Sequence, residues 1–273
     1  MIYFCNNGII PPEAYSIMGV NAKVTNEPFG RFGTGLKYAI ATILRHGGKI
    51  SITTEGSTVE FSQKEMDFRG QPFHAVYAGE RELAYTTELG KDWKIEQAYR
   101  ELVCNCKDEN GTIFSEKPTA FWDTVIEVDL PQMDEIHGEN DMFLTSEEKS
   151  RAHTGKKHVS IHEGSSSKIY YRGVAVYSLK HPLPFTFNIH SSIDLTEDRT
   201  AKYDYQIKDK IAVLPYITNK EILHKLLSSE HQFLKELSYS VPSRYSDEWL
   251  EVCLSLYRKG KLKNDTAKTW IRS

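Results

Sequence analysis

The sequence predicts an α+β fold, and three stretches carry that expectation. A glycine cluster, Phe29-Gly30-Arg31-Phe32-Gly33-Thr34-Gly35-Leu36-Lys37, runs directly into Tyr38-Ala39-Ile40-Ala41-Thr42-Ile43-Leu44, whose apolar spacing is helical. Residues 93–109 repeat the helical pattern, with Trp93, Ile95, Ala98, Tyr99, Leu102, Val103 and Cys106 on a core-facing side. Thr124-Val125-Ile126-Glu127-Val128-Asp129-Leu130 alternates β-branched and polar residues and reads as a strand.

Taken in order, the chain opens with Ile2-Tyr3-Phe4-Cys5, a short apolar strand. The glycine cluster follows. Glycines tolerate backbone angles that other residues resist and leave N–H groups uncovered. At a helix start such groups form an anion site, and Lys37 suits phosphate there. The cluster lacks the Gly-Lys-Ser/Thr ending of a P-loop and the spacing of a dinucleotide turn, and it equally fits a tight loop packed on a helix. In the second helix, Glu101, Asn105 and Asp108 share one face. A carboxylate can activate water and an amide oxygen can ligate Mg²⁺, although a solvated polar face would read the same way.

Pro131 to Ser167 is rich in Glu, Asp, Lys, Ser and His and reads as an exposed connection or mobile loop, with His162 solvated. Lys168 to Tyr177 reads as a hairpin turning at Arg172-Gly173, and Phe185 to Ile189 as a strand. Thr218-Asn219-Lys220-Glu221 has capping-box spacing before one helix reaching Leu237. A last helix spans about 247–258, ended by Gly260, and the tail from Lys259, with Trp270, reads as a solvated end.

With 273 residues there is room for one large domain or two small ones, expected at 1–150 and 165–273. A net charge of −3 gives no bulk argument for nucleic acid or anionic membranes. The four cysteines lack zinc-site spacing, and reduced thiols are expected. No run reaches the length of a membrane span and no signal peptide is visible, so the expectation is a soluble cytoplasmic protein.

Arg100-Glu101-Leu102-Val103-Cys104-Asn105-Cys106-Lys107-Asp108-Glu109 resembles the Glu/Asn helix of the GHKL ATPases, the Bergerat-fold family of gyrase, heat-shock chaperones, histidine kinases and MutL. Gly30 to Lys37 resembles their later glycine box, and Asn6-Asn7-Gly8 stands where the family has Asp-x-Gly-x-Gly. Met18 to Lys23 resembles the lid segment between those boxes. The boxes appear in rotated order, as in a circular permutation cut between two adjacent strands. That arrangement resembles small ATPase-like proteins of bacteriophages, which would place the chain in a host cytoplasm.

The resemblance implies a Bergerat-type mixed sheet layered with helices, a smaller companion α/β domain, and Mg²⁺-dependent ATP binding with slow hydrolysis coupled to a protein partner. Glu101 would activate water and Asn105 would hold Mg²⁺. Gly30, Gly33, Thr34, Gly35 and Lys37 would cradle the phosphates, with Lys23 and Asp108 also at the nucleotide. Asn6 and Gly8 would contact the base, or Asn7 in a register shifted by one. Arg199 or Lys202, from Leu195-Thr196-Glu197-Asp198-Arg199-Thr200, would reach the γ-phosphate, unless Asp198-Arg199 is only a charged surface turn. Two departures, Asn6 for aspartate and Ile10 for the second glycine, support an alternative: a non-hydrolysing nucleotide or partner binder on the same fold.

Overall fold

The computed structural model describes residues 1–19, 33–139, 141–144, 152–154, 159–196, 198–238 and 245–272. It is an α+β chain with a large antiparallel sheet, a second smaller sheet and helices, divided into two compact units. The first comprises Met1–Asn140 with Glu197–Arg199, and the second Asp141–Thr196 with Thr200–Ser273.

In the first unit, β1 (Ile2–Asn6) is buried along its whole length. After the short α1 (Glu13–Ser16) and the glycine-led α2 (Gly35–Arg45) come β2 (Lys49–Thr54), β3 (Ser57–Phe68), β4 (Gln71–Ala78) and β5 (Arg81–Thr86). These strands form a meander. Its turns at Glu55-Gly56 and Arg69-Gly70 place both residues at positive φ, the geometry that matches the twist of tight hairpins. Then follow α3 (Ile95–Asp108), β6 (Thr112–Phe114), β7 (Thr124–Asp129) and α4 (Pro131–Glu139).

The seven strands are ordered β5-β4-β3-β2-β7-β1-β6, and every ladder is antiparallel. The expected mixed sheet is thus antiparallel here, because most of it is built from consecutive hairpins. The first strand lies beside the 124–129 strand, with Ile2 opposite Val128 and Asn6 opposite Thr124. β1 lies between β7 and the edge strand β6, and α3 packs against it; Phe4, Ile126 and Val128 are almost wholly buried. α2 and α3 pack side by side against this sheet. Ile40, Ile43 and Leu44 supply one stripe, Tyr99, Leu102 and Val103 the other, and Tyr99 meets Phe4 edge-on at 5.9 Å.

The second unit holds β8 (Ala152–Thr154), β9 (Val159–His162), β10 (Ser166–Tyr171), β11 (Val174–Leu183) and β12 (Thr186–Ile189), in sheet order β11-β10-β12-β9-β8. The hairpin expected at Arg172-Gly173 is present, and β10 and β12 form the parallel pair of this sheet. Helices α5 (Asp204–Ile211), α6 (Lys220–Leu227), α7 (Gln232–Lys235), α8 (Asp247–Arg258) and α9 (Asp265–Arg272) complete it.

Four readings of the sequence are corrected. Pro131 to Ser167 is not a plain exposed connection: it contains α4 and the fully buried β9. The helix expected from Thr218 to Leu237 is two helices, capped by Asn219, whose side chain accepts from Ile222 N–H at 3.1 Å, and by His231. The chain breaks between them at Ser228-Ser229, where hydroxyls compete for backbone bonds; Ser228 Oγ donates to His224 O at 2.6 Å. The tail is not a solvated end. It folds as α9, whose Trp270 meets Trp249 at a tilt at 4.9 Å and Tyr245 edge-on at 5.3 Å. Finally, His162 is buried, and its Nε2 lies 2.9 Å from Ser160 Oγ.

Candidate functional site

The fold brings Glu101 of α3 to Gly35, the first residue of α2. The two are 66 positions apart in the chain, 101 less 35. A methyl placed on Gly35 would lie 2.1 Å from Glu101 Oε1 and 2.7 Å from Oε2. The carboxylate therefore lies flat against bare backbone, and any side chain at 35 would collide with it. A helix start carries a partial positive charge, so the carboxylate is electrostatically at home there.

Glu101 is 3% exposed and has two further neighbours. Asn105, one turn on, donates from Nδ2 to Oε1 at 3.1 Å. Arg199, itself 2% exposed, brings Nη2 to 2.7 Å from Oε2. That contact is a close charge pair without hydrogen-bond alignment. Glu101 Oε2 and the Nε and Nη1 of Arg199 are buried with no hydrogen-bond partner among the described residues. Arg199 belongs to the first unit and holds φ at +64°, an uncommon setting for arginine. Beside it, Asp198 anchors the segment to α3: Gln97 donates to its carboxylate at 3.1 Å and Arg100 to its carbonyl at 3.2 Å. Lys202, the other basic candidate, is exposed over the Tyr203 ring in the second unit.

Lys37 is wholly buried on α2, and its Nζ donates to Ala14 O and Gly33 O, both at 2.8 Å. Two of its three N–H groups thus tie the chain before the helix to α1. Burial pushes its pKa down. Gly33 has φ +66°. Lys23 and Gly30 lie outside the described residues.

At the end of β1, Asn6 is 1% exposed and its Oδ1 has no partner among the described residues. Gly111 leaves room for that amide: a Cβ there would lie 2.8 Å from Oδ1 and 2.2 Å from Cys5 O. Gly8 faces Glu109, whose Oε2 is 2.7 Å from the position of a Cβ on Gly8. Asp108 is buried on α3. Sequence reasoning missed Thr124. It is the register partner of Asn6 and fully buried. Its hydroxyl donates to Gly8 O at 2.7 Å and accepts from Ile10 N–H at 3.3 Å. The signal was a threonine at the strand end opposite Asn6, visible only once the pairing is known.

Among the described residues no group of three His, Cys, Asp or Glu side chains is placed to hold a metal ion. A polar cleft of about 630 Å³ lies elsewhere in this unit, lined by Arg45, Trp93, Lys94, Gln132 and Glu135 among others, and it contains none of the candidate residues. No described helix is long and apolar enough to cross a membrane. Compared with known protein families, curated proteins and solved structures, the chain has no match.

Proposed function

We propose that the first unit binds an adenine nucleotide with Mg²⁺ on a permuted Bergerat-type fold and hydrolyses it slowly. The observation that carries this reading is the meeting of Glu101, Asn105, Gly35 and Arg199 from three separated stretches of sequence. Each residue type has a task in phosphoryl transfer, where positioning and charge stabilisation do most of the work.

The residues suit the group they would hold. Asn6 offers a buried acceptor without a partner among the described residues, as the amino group of a base requires, and its own NH₂ can donate to a ring nitrogen. Gly33 and Gly35 put no side chain at the helix start, where phosphate is favoured and where the Glu101 carboxylate lies. Asn105 carries an amide oxygen, the kind of donor a hard cation takes, on the helix face that holds Glu101. Mg²⁺, when bound, would neutralise phosphate charge. Glu101 would orient and deprotonate water, and Arg199 would face the charge that develops on the transferred group. Lys37, engaged by two carbonyls, would shape the loop that receives the phosphates.

The second reading, a nucleotide binder without turnover, is favoured by one observation: both oxygens of Glu101 already have close neighbours. Calorimetry with ATP, ADP and GTP in the presence of Mg²⁺ tests binding. Asn105→Ala should weaken it, and Gly33→Val should weaken it more by straining a positive-φ position. Turnover separates the two readings. A positioned acid–base group contributes roughly 10²–10⁴-fold, so Glu101→Ala should hold intact ATP while the wild type converts it to ADP. Equal, negligible conversion by both, alone and in cell extract, would leave the binder. Absence of heat with every nucleotide would end both readings.

A further inference from the structure

The start of α2 is an anion seat, and the chain fills it with its own carboxylate. Glu101 lies against Gly35 closely enough to exclude a methyl group. It is held there by Asn105 on one oxygen and Arg199 on the other. The seat is built for more oxygens than Glu101 supplies. Arg199 is 2% exposed, yet its Nε and Nη1 donate to nothing among the described residues. A guanidinium presents five N–H groups in a fixed fork suited to a carboxylate or a phosphate. Leaving two buried nitrogens without a partner among the described residues is costly unless a ligand completes them.

We propose that Glu101 is a self-ligand: in the ligand-free chain its carboxylate occupies the seat of an incoming oxyanion, and a polyphosphate takes over Arg199 as it displaces Glu101. This rests on the reading that the start of α2 receives phosphate, but not on the identity of the base. It also joins two roles of one residue. The carboxylate becomes able to hold water only after the phosphate has moved it, so binding itself arms the site.

The consequence is an affinity that rises when the carboxylate is removed. Inorganic tripolyphosphate and ATP, each with Mg²⁺, would be titrated into wild type, Glu101→Gln and Glu96→Gln. Glu96 is exposed near the start of α3, so its variant carries the same charge change away from the seat. Glu101→Gln should bind both probes roughly tenfold tighter or more, and Glu96→Gln should match wild type. If Glu101→Gln does not fold, wild type alone decides by NMR: the Arg199 Nε–H resonance should shift on adding tripolyphosphate.

Glu101→Gln with native fold and unchanged or weaker affinity, or an unshifted Arg199 resonance at saturation, overturns the self-ligand. The two ideas fail separately. Tighter tripolyphosphate binding with no advantage for ATP would keep the self-ligand and remove the adenine reading. Equal ATP binding by wild type and variant would do the reverse.

Discussion

At the scale of the residue, two glycines decide whether the site exists, and neither is needed for an unusual backbone angle. Gly35 is required because a carboxylate lies on it, and Gly111 because a Cβ there would lie 2.2 Å from Cys5 O and 2.6 Å from Cys106 Sγ. The neighbours differ in how they can respond. Glu101 is a side chain that can withdraw, whereas the obstacle at Gly111 is backbone of β1, a strand paired on both sides. Overpacking of this kind costs ~1–3 kcal/mol. Gly111→Ala is therefore expected to lose stability at the upper end of that range, measured by denaturant unfolding. Gly35→Ala should push Glu101 off Arg199 and leave a buried charge without its partner, so it should lose at least as much stability. A Gly111→Ala protein with unchanged unfolding midpoint would mean that β1 and α3 are not packed as described.

At the scale of the element, the C-terminal helices show how one amide can hold several segments. Asn264 is 1% exposed, and its Nδ2 donates to Leu234 O at 2.8 Å and to Leu237 O at 3.1 Å. Its Oδ1 accepts from Ala267 N–H at 2.9 Å and so caps the start of α9. Asn264→Ala should thus strand two carbonyls and remove a cap, at a cost of about 2–4 kcal/mol when both effects combine. Circular dichroism in the near ultraviolet should report the loosening directly, since Tyr245, Trp249 and Trp270 form one aromatic cluster beside this helix. An unchanged aromatic signal with unchanged stability would show that α9 docks without the amide. The seat at α2 obeys the same logic: α3 supplies both Glu101 and Asn105 because a turn and a tenth of helix returns the side chain to the same face.

At the scale of the whole molecule, all four cysteines are buried and free, three in the first unit and one in the second. Burial pushes Cys5 up to about 11 and Cys104, Cys106 and Cys253 up to about 12. At pH 8 the native protein should then react negligibly with a thiol-specific disulfide reagent, and all four thiols should react once it is unfolded. The sign for stability follows from the direction of the shift. A thiol whose folded pKa is raised stabilises fully below its unfolded value, near 9, and loses that contribution as pH rises through the folded values. Raised Tyr85 and Tyr99 act in the same sense, while lowered Lys37 and Lys107 oppose it. Denaturant midpoints taken between pH 8 and 11 should fall, and Cys253→Ala should reduce the slope. Rapid labelling of the folded chain at pH 8 would contradict the burial described.

Much of this molecule was legible from sequence because local chemistry dictated it. Apolar periodicity placed α2, α3, α8, β7 and the β10–β11 hairpin, and the Glu101–Asn105 face follows from helical pitch alone. Local pattern failed where the partner was distant. His162 looked solvated because its neighbours in sequence are polar, and pairing of β9 with β12 places it opposite Thr186; Trp270 looked solvated because its ring partners, Tyr245 and Trp249, lie on the preceding segment. Thr124 could not be named before β1 and β7 were known to pair, and Arg199 could not be preferred to Lys202 before one was found buried against Glu101. The sequence by itself determined where α2, α3, α8 and β7 run, since those depend on periods of two and 3.6 residues. Only the tertiary structure decided that a carboxylate would rest on Gly35, because contact across 66 positions is set by how two helices share one sheet, not by any property of either helix alone.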